Sequence, residues 1–306
     1  MAFPLHRNPP FRAEHVGSLL RPDYLLEVRH AWNDKKCSNA QSHEAEDRAV
    51  NEVVKLQQDC GFRAINDGEE GSAYPKDIYR NDDEYFADVV AAYQTELQIL
   101  YDHGLRNVQI DDPNMCYFCN EKMIENFNND KLNARTTDEL FTKYINVYNK
   151  IMTQCPQGMH IGLHLCRGNL VKSRHFTEGP YDRITKELLQ KVNVHTFHLE
   201  FDTERAGGCE PLQYLPHNKN VVLGVVSSKY PELENFDATV ARVYDAAGYI
   251  SKRSGRSEME ALEQICVSPQ CGFASHSSGN AVGVDDMVAK MRLVRRVADK
   301  IWPGDV

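Results

Sequence analysis

The stretch that decides the fold is "HIGLHLC", residues 160–166, a short apolar run with a histidine and a cysteine two positions apart near its end. It follows a helical pattern that begins after Thr136, where Glu139 stands at the spacing of a capping box. A second helical pattern follows it at residues 182–192. A short apolar run between two helical patterns is typical of a buried strand in a parallel sheet.

The same alternation extends along the whole chain. Strands are predicted at residues 12–18, 62–67, 106–112, 160–166, 194–202, 220–228 and 264–272. Helices are predicted at residues 41–60, 84–103, 137–154, 182–192, 237–254 and 284–301. Such alternation indicates a parallel sheet with helical crossovers. For 306 residues it favours a single domain, residues 1–306, with a TIM-type (β/α)₈ barrel.

A doubly wound open sheet is the alternative fold, but no GxGxxG or GxxxxGK[ST] motif follows the early strands. The barrel prediction has one gap, because the sequence supplies seven strands instead of eight. Only residues 68–83 separate the second predicted strand from the next predicted helix, which is too short for a crossover helix and a strand. We therefore predict that the βα unit after strand 2 is missing or reduced.

Composition excludes several classes of partner and location. The formal net charge is −9, which argues against nucleic acid or an anionic membrane surface as the main partner. No apolar run is long enough to span a membrane, and the amino terminus does not resemble a signal peptide. Nine scattered cysteines do not resemble a disulfide framework, so we expect a reducing, cytoplasmic compartment. Cys116 and Cys119 form a lone CxxC motif, which leaves loop thiols, redox chemistry and a metal site open.

Polar side chains recur at the carboxyl ends of the predicted strands, where parallel α/β folds place their chemistry. His164 and Cys166 are two residues apart on one strand and so face the same side. Glu200 and Cys271 end two later strands. Together the four residues make a plausible tetrahedral zinc site, whereas the alternative for the first pair alone is a core histidine and a buried thiol.

Further polar residues at strand ends are candidates for substrate binding. Glu69 and Asp111 stand in acidic pairs that are either solvated surface or ligands for an ammonium group. Ser18, which follows Gly17, is either a turn serine or a receptor for a carboxylate, and His15 ends the same first strand.

Seven motifs of this sequence, in this order, resemble the catalytic domain of cobalamin-independent methionine synthase. The resemblance is closer to stand-alone, single-domain relatives of that enzyme and runs from about residue 11 to 300. The motifs are "HVGSLLRP" (15–22), "NDGEEG" (66–71), "VQIDDPN" (108–114), "HLCRGN" (164–169), "FHLEFDTERAG" (197–207), "VVSSKYPELE" (225–234) and "SPQCGFAS" (268–275).

The resemblance implies a TIM barrel with one zinc ion at its strand ends. The implied ligands are His164, Cys166, Glu200 and Cys271. The implied reaction, part of methionine biosynthesis, transfers a methyl group from 5-methyltetrahydrofolate to the thiol of homocysteine, which zinc holds as a thiolate. The substrate-binding residues predicted here are His15, Ser18, Glu69, Asp111 and Ser227; the family resemblance assigns the amino-acid part of the substrate to Ser18, Glu69 and Asp111.

One position departs from the family pattern. Methionine synthases carry a histidine after the strand that here ends "VVSSK", and this chain has Ser227 or Ser228 there.

Our first hypothesis is a zinc-dependent methyltransferase that acts on a small, homocysteine-like thiol with a folate or another methyl donor. The second is a zinc-binding relative that has lost methyl transfer and serves as a binding or scaffold protein. The third, a metal-free decarboxylase on the same superfold, fits the zinc set poorly. Homo-oligomer formation stays open.

Overall fold

The core of the molecule is a parallel β-sheet. The computed structural model describes residues 10–62, 79–131, 133, 135–170, 172–275 and 279–304. Within these ranges the sheet strands are β1 (Asn107–Asp111), β2 (His160–Leu165), β3 (Thr196–Glu200), β4 (Asn220–Val226) and β5 (Ile265–Pro269). All neighbouring pairs are parallel, and the strands lie side by side in chain order. Five of the seven predicted strands are thus confirmed, each within three residues of its predicted bounds.

The first predicted strand, residues 12–18, is shorter in the structure. Only Ala13 pairs with the sheet, through a parallel bridge to Val267 of β5. The N–H of Glu14 donates to the Val267 carbonyl at 2.8 Å, and the chain then turns away at Gly17, whose φ is +60°. Pairing of the first segment with the last strand is the closure expected of a TIM-type barrel, and the sheet with its crossover helices has this architecture. The second predicted strand, residues 62–67, lies mostly outside the described residues, as does most of the predicted gap.

Helices cross over between the strands and cover the sheet. The six predicted helices are confirmed, including the capping box in which Thr136 and Glu139 exchange hydrogen bonds. Three further helices, Asp23–Asn33, Glu121–Asn129 and Glu258–Glu263, were not predicted. The helices are α1 (Asp23–Asn33), α2 (Asn39–Asp59), α3 (Asp82–Asp102), α4 (Glu121–Asn129), α5 (Thr137–Met152), α6 (Asp182–Lys191), α7 (Phe236–Ser254), α8 (Glu258–Glu263) and α9 (Val284–Ile301).

Burial differs between the first strand and the others. β3 and β5 are buried along their whole lengths, and β2 and β4 are buried from their second residues on. In β1 only Ile110 is buried, and Asp111 at its end is exposed. The apolar interior therefore lies around β2 to β5, and the carboxyl end of β1 leaves a carboxylate accessible beside a buried site.

Candidate metal centre

Four side chains meet at the carboxyl ends of the strands, as the sequence predicts. The ligand-type atoms of His164, Cys166, Glu200 and Cys271 all lie within 4.8 Å of one another, and all four residues are buried. The sheet register explains the meeting, because His164 of β2 pairs with His198 of β3. Cys166 and Glu200 each lie two residues further along, on the same face of the sheet. Cys271 joins them from the turn that follows β5, and its sulfur is 3.5 Å from that of Cys166.

Glu200 is held by donors on both carboxylate oxygens. Its Oε1 accepts the backbone N–H of Arg167 at 2.7 Å, and its Oε2 accepts from the Arg205 guanidinium at 2.6 Å. Arg205 also donates to Asp202 at 2.9 Å. A carboxylate has about four lone-pair sites, so two such bonds fix its orientation and leave acceptor capacity for a cation.

His164 places a buried nitrogen in the cluster. Its Nδ1 lies 3.2 Å from the carbonyl oxygen of His198, which fixes the ring, and its Nε2 has no hydrogen-bond partner among the described residues. Burial lowers the pKa of His164, but contact with the Cys271 thiol and the charges of Asp111 and Glu200 raise it to about 10. The surroundings of this ring therefore favour positive charge.

The pKa values of both thiols in the cluster are raised. The hydrogen bond from Cys271 lowers the pKa of Cys166, but burial and the charges of Glu200 and Asp111 outweigh it. The hydrogen bond with Cys166, together with burial, raises the pKa of Cys271 well above the usual thiol value. Two buried sulfurs at 3.5 Å cannot both carry negative charge without a neighbouring cation. A divalent ion removes this conflict, because a coordinating thiol is deprotonated outright. Two sulfurs, one imidazole and one carboxylate are a donor set that suits zinc, and the cluster fits such an ion.

The loops around the cluster are joined by a buried ammonium group. Lys229 donates to the carbonyl oxygens of Gly168 and Arg174, at 2.8 and 3.0 Å, and to Asn169 Oδ1 at 3.3 Å. Asn169 in turn donates to the carbonyl of Gly272 at 2.5 Å. The loops that follow β2, β4 and β5 are therefore fixed to one another directly beside the two cysteines.

Two of the predicted substrate residues, Asp111 and Ser18, border the cluster or the turn that bears Cys271, and a third, His15, is buried elsewhere on the first segment. Asp111 Oδ1 lies 3.9 Å from His164 Nε2, and about a third of its side chain is exposed. The carbonyl of Ser18 accepts the N–H of Phe273 at 2.7 Å, and its buried hydroxyl has no partner among the described residues. His15 is buried and packs edge-to-face on Phe62.

The other two predicted substrate-binding residues are Ser227 and Glu69. The Ser227 hydroxyl accepts the N–H of Lys229 at 3.3 Å, so it supports the turn after β4. Its neighbour Ser228 reaches the Cys271 turn, since its hydroxyl donates to the Gly272 carbonyl at 2.8 Å. Glu69 lies outside the described residues.

Sequence reasoning missed three cations that surround the cluster. Arg167 and Arg205 were not singled out, and Lys229 was noted only as the end of a strand. Buried arginine and lysine are rare unless they are paired, so basic residues directly after a buried strand were the available signal. Lys229 donates to backbone carbonyls, and Arg205 donates to carboxylates a few residues before it in the chain. No sequence spacing encodes those contacts.

The parallel barrel and the cluster of sulfur, imidazole and carboxylate groups at its strand ends define the class of protein as an α/β barrel with a candidate metal site. The model of the cobalamin-independent synthase catalytic domain matches residues 70–299 of this chain. The chain belongs to this family, which supports methyl transfer as the general class of reaction.

Two relatives from Bacillus subtilis (strain 168) align over almost the whole chain. YxjG is 28% identical over 379 positions and YxjH is 27% identical over 375, and each alignment covers 97% of this chain and 96% of the relative. Both alignments are longer than the 306 residues of this chain. The relatives therefore carry internal segments that this chain lacks, in agreement with the prediction of a shortened barrel.

Solved structures agree on the fold. A protein from Listeria monocytogenes, assigned as a vitamin-B12 independent methionine synthase, superposes with a TM-score of 0.71 at 24% identity, over 96% of this chain and 98% of its own. A B12-independent methionine synthase from Shewanella sp. W3-18-1, in complex with selenomethionine, gives a TM-score of 0.67 at 12% identity, over 95% and 97%. At these identities the likeness shows the fold alone.

The described helices include none that is both long and apolar enough to cross a membrane. The cytoplasmic location and the homo-oligomer stay predictions.

Proposed function

We propose that this protein is a zinc-dependent methyltransferase that acts on a small, homocysteine-like thiol. His164, Cys166, Glu200 and Cys271 would hold the ion. Bound there, zinc would take up the substrate thiol as a thiolate, which is a good nucleophile at a pH where a free thiol is mostly protonated. The methyl donor is 5-methyltetrahydrofolate or another methyl carrier.

The observation that carries this proposal is the convergence of the four buried donors within 4.8 Å in a chain of the cobalamin-independent synthase family. The Nε2 atom of His164 is buried without a hydrogen-bond partner among the described residues, which carries a desolvation cost, and two buried sulfurs lie 3.5 Å from each other. The same atoms are satisfied together by one cation.

The remaining groups of the site suit an amino-acid substrate. Asp111 offers an accessible carboxylate next to the cluster, where it would pair with the substrate ammonium group. Ser18 offers a buried hydroxyl beside the Cys271 turn, where it would donate to the substrate carboxylate. In this proposal the side chains of Arg205 and Lys229 do not bind the substrate. They hold Glu200 and the loops in place, so that the donors need little rearrangement.

Metal content tests the proposed centre. We expect about one zinc per chain in the purified protein by elemental mass spectrometry, and loss of that zinc in Cys271→Ser and in His164→Ala. Cys209→Ser is the matched control, since Cys209 is also buried but lies outside the cluster. A well-folded wild type that binds no zinc, even after zinc is supplied, would overturn the proposal.

Product analysis tests the reaction and separates it from the second hypothesis. The zinc-loaded protein is incubated with homocysteine and 5-methyltetrahydrofolate or simpler methyl donors, and methionine is measured by mass spectrometry. We expect methionine, and none from Cys271→Ser. Zinc binding without product from any donor would favour the second hypothesis, that the protein is a binding protein. The shortness of this chain relative to its relatives is a further reason to consider that hypothesis.

A further inference from the structure

A second pair of thiols lies next to the chain segment that carries Cys166 of the candidate metal centre. Cys116 and Cys119 belong to a 3₁₀ helix, Met115–Cys119, and both are buried. Residues three apart in such a helix stand on the same side, with Cα atoms about 6 Å apart, since each residue rises about 2 Å. Disulfides span Cα separations of about 4.4–6.8 Å, so the helix already holds the two cysteines at a suitable distance.

A buried guanidinium faces this pair. Arg167 is fully buried, and none of its side-chain nitrogens has an oxygen acceptor among the described residues. Its ring contact is Tyr181, with the guanidinium carbon 4.2 Å from the ring centroid. A hydrogen bond from Cys116, aided by the charge of Arg167, lowers the pKa of Cys119, although burial acts against this. The arrangement lets one thiol carry negative charge beside a cation whose side-chain nitrogens have no oxygen acceptor among the described residues.

The same pair contacts both neighbours of Cys166 in the chain. The Cys116 sulfur lies 3.4 Å from the carbonyl oxygen of Leu165, to which its S–H donates when Cys119 is protonated. On the other side, Arg167 faces the thiols with its side chain, while its backbone N–H holds Glu200 at 2.7 Å. A change in the charge or bonding of the pair therefore acts on the segment that presents Cys166 and on the orientation of Glu200.

We propose that Cys116 and Cys119 form a redox site, which a hydroperoxide converts to a disulfide and whose oxidation weakens metal binding at the neighbouring cluster. The Cys119 thiolate attacks the peroxide, the O–O bond breaks, and a sulfenic acid and hydroxide form. Cys116 then attacks the sulfenic sulfur, the S–S bond forms, and the S–O bond breaks to release water. Together with a proton taken up by the hydroxide, one hydrogen peroxide is reduced to two waters while two thiols are oxidised.

Oxidation removes two features that support the metal centre. The Cys116 S–H no longer donates to Leu165, and Arg167 loses the negative charge that faces it. Loss of an outer contact of this kind typically costs 10–100-fold in metal affinity. We therefore expect the oxidised protein to release zinc about tenfold faster than the reduced protein.

The test uses the full chain loaded with zinc and treated with hydrogen peroxide. Free thiols are alkylated before and after reduction, and peptides are identified by mass, so that a Cys116–Cys119 disulfide is distinguished from one between Cys166 and Cys271. We expect the first disulfide, reversed by dithiothreitol, while the buried thiols of Cys209 and Cys266 stay reduced. Zinc release is followed in parallel with a chromogenic chelator.

Two variants complete the design. Peroxide should not accelerate zinc release in Cys116→Ser or Cys119→Ser, although both keep the four clustered donors. Cys116 and Cys119 that stay reduced, or a disulfide that leaves zinc release unchanged, would each overturn the proposal. The disulfide is detected by mass spectrometry in the wild-type chain, so this measurement does not depend on whether a variant folds. It also does not depend on whether the protein transfers methyl groups.

Discussion

At the scale of single residues, Arg205 decides how Glu200 is presented to the cluster. Its guanidinium bridges Glu200 and Asp202, at 2.6 and 2.9 Å, and its Nε donates to Thr203. Lysine keeps the charge of Arg205 but cannot form three bonds in this fixed pattern. We predict that Arg205→Lys weakens zinc binding by about tenfold, the usual effect of losing an outer-shell contact.

A chelator competition measures this change directly. The control is Arg183→Lys, because Arg183 forms a more exposed ion pair with Asp138 and neither residue belongs to the cluster. Surface pairs of this kind contribute little, so its zinc affinity should match that of the wild type. An Arg205→Lys protein that binds zinc as tightly as the control would show that Glu200 needs no such support.

The four clustered residues were predictable from the sequence for a simple reason. Period-two spacing places His164 and Cys166 on one face, and parallel strands bring their carboxyl ends to one edge, where Glu200 and Cys271 follow. No comparable rule locates Arg205, since it returns to Glu200 through a short loop. Residues at the strand ends were thus found from periodicity and strand order, whereas Arg205, in the segment after β3, was found only from the structure.

At the scale of elements, the turn after β5 lies against the first segment of the chain. A Cβ on Gly272 would come within 2.7 Å of the Ser18 nitrogen and 3.0 Å of the Gly17 carbonyl carbon, and neither backbone atom can move freely. We predict that Gly272→Ala lowers the free energy of unfolding by about 1–3 kcal/mol, the usual cost of overpacking, and that it also reduces zinc content.

Gly248→Ala is the matched control for that substitution. Gly248 lies inside α7, and a Cβ there meets nothing within 4 Å. Alanine should therefore stabilise the helix by about 0.5–1 kcal/mol. Urea unfolding of both variants checks the pair, and equal stability of the two proteins would contradict the close approach at Gly272.

The loops after β2, β4 and β5 depend on the buried Lys229 ammonium. Lys229→Met keeps the length of the side chain but leaves the Gly168 and Arg174 carbonyls without this donor. We predict a loss of about 1–3 kcal/mol in unfolding free energy by urea titration, the usual cost of one unsatisfied buried acceptor, because the Arg174 carbonyl still accepts the N–H of Leu170 and only the Gly168 carbonyl is left unsatisfied. Lys55→Met, which removes an exposed pair with Asp59, should change stability by less than about 1 kcal/mol. A similar small change for Lys229→Met would show that solvent replaces the ammonium.

At the scale of the whole molecule, the alternation of strands and helices was enough to predict the barrel. The order of the sheet follows the order of the chain, and the bridge between Ala13 and Val267 joins the first segment to the last strand. The first strand was overestimated, since an apolar run does not reveal that Gly17 turns the chain after one bridge pair. The longer alignments with YxjG and YxjH support a shortened chain, and they do not locate the shortening.

The opposite end of the sheet makes the fold sensitive to acid. His160 begins β2 and stacks beside His195, with ring centroids 5.0 Å apart, and its Nε2 lies 2.7 Å from Thr196 Oγ1. Burial, together with the neighbouring His195, lowers the pKa of His160 to about 4. In the unfolded chain a histidine titrates near pH 6.5. Between about pH 6.5 and 4, the unfolded chain therefore binds a proton at this position that the folded protein does not.

Linkage then requires the unfolding free energy to fall as the pH is lowered through that window. The depressed pKa of His160 corresponds to at most about 3 kcal/mol, at about 1.4 kcal/mol per pKa unit. Carboxylates and the metal centre also respond to acid, so the informative quantity is the difference between the wild type and His160→Gln, which cannot be protonated. Urea titrations at pH 7 and pH 5 should show that the variant loses less stability than the wild type. Equal losses would mean that solvent reaches the protonated ring and that His160 is not held in its neutral form.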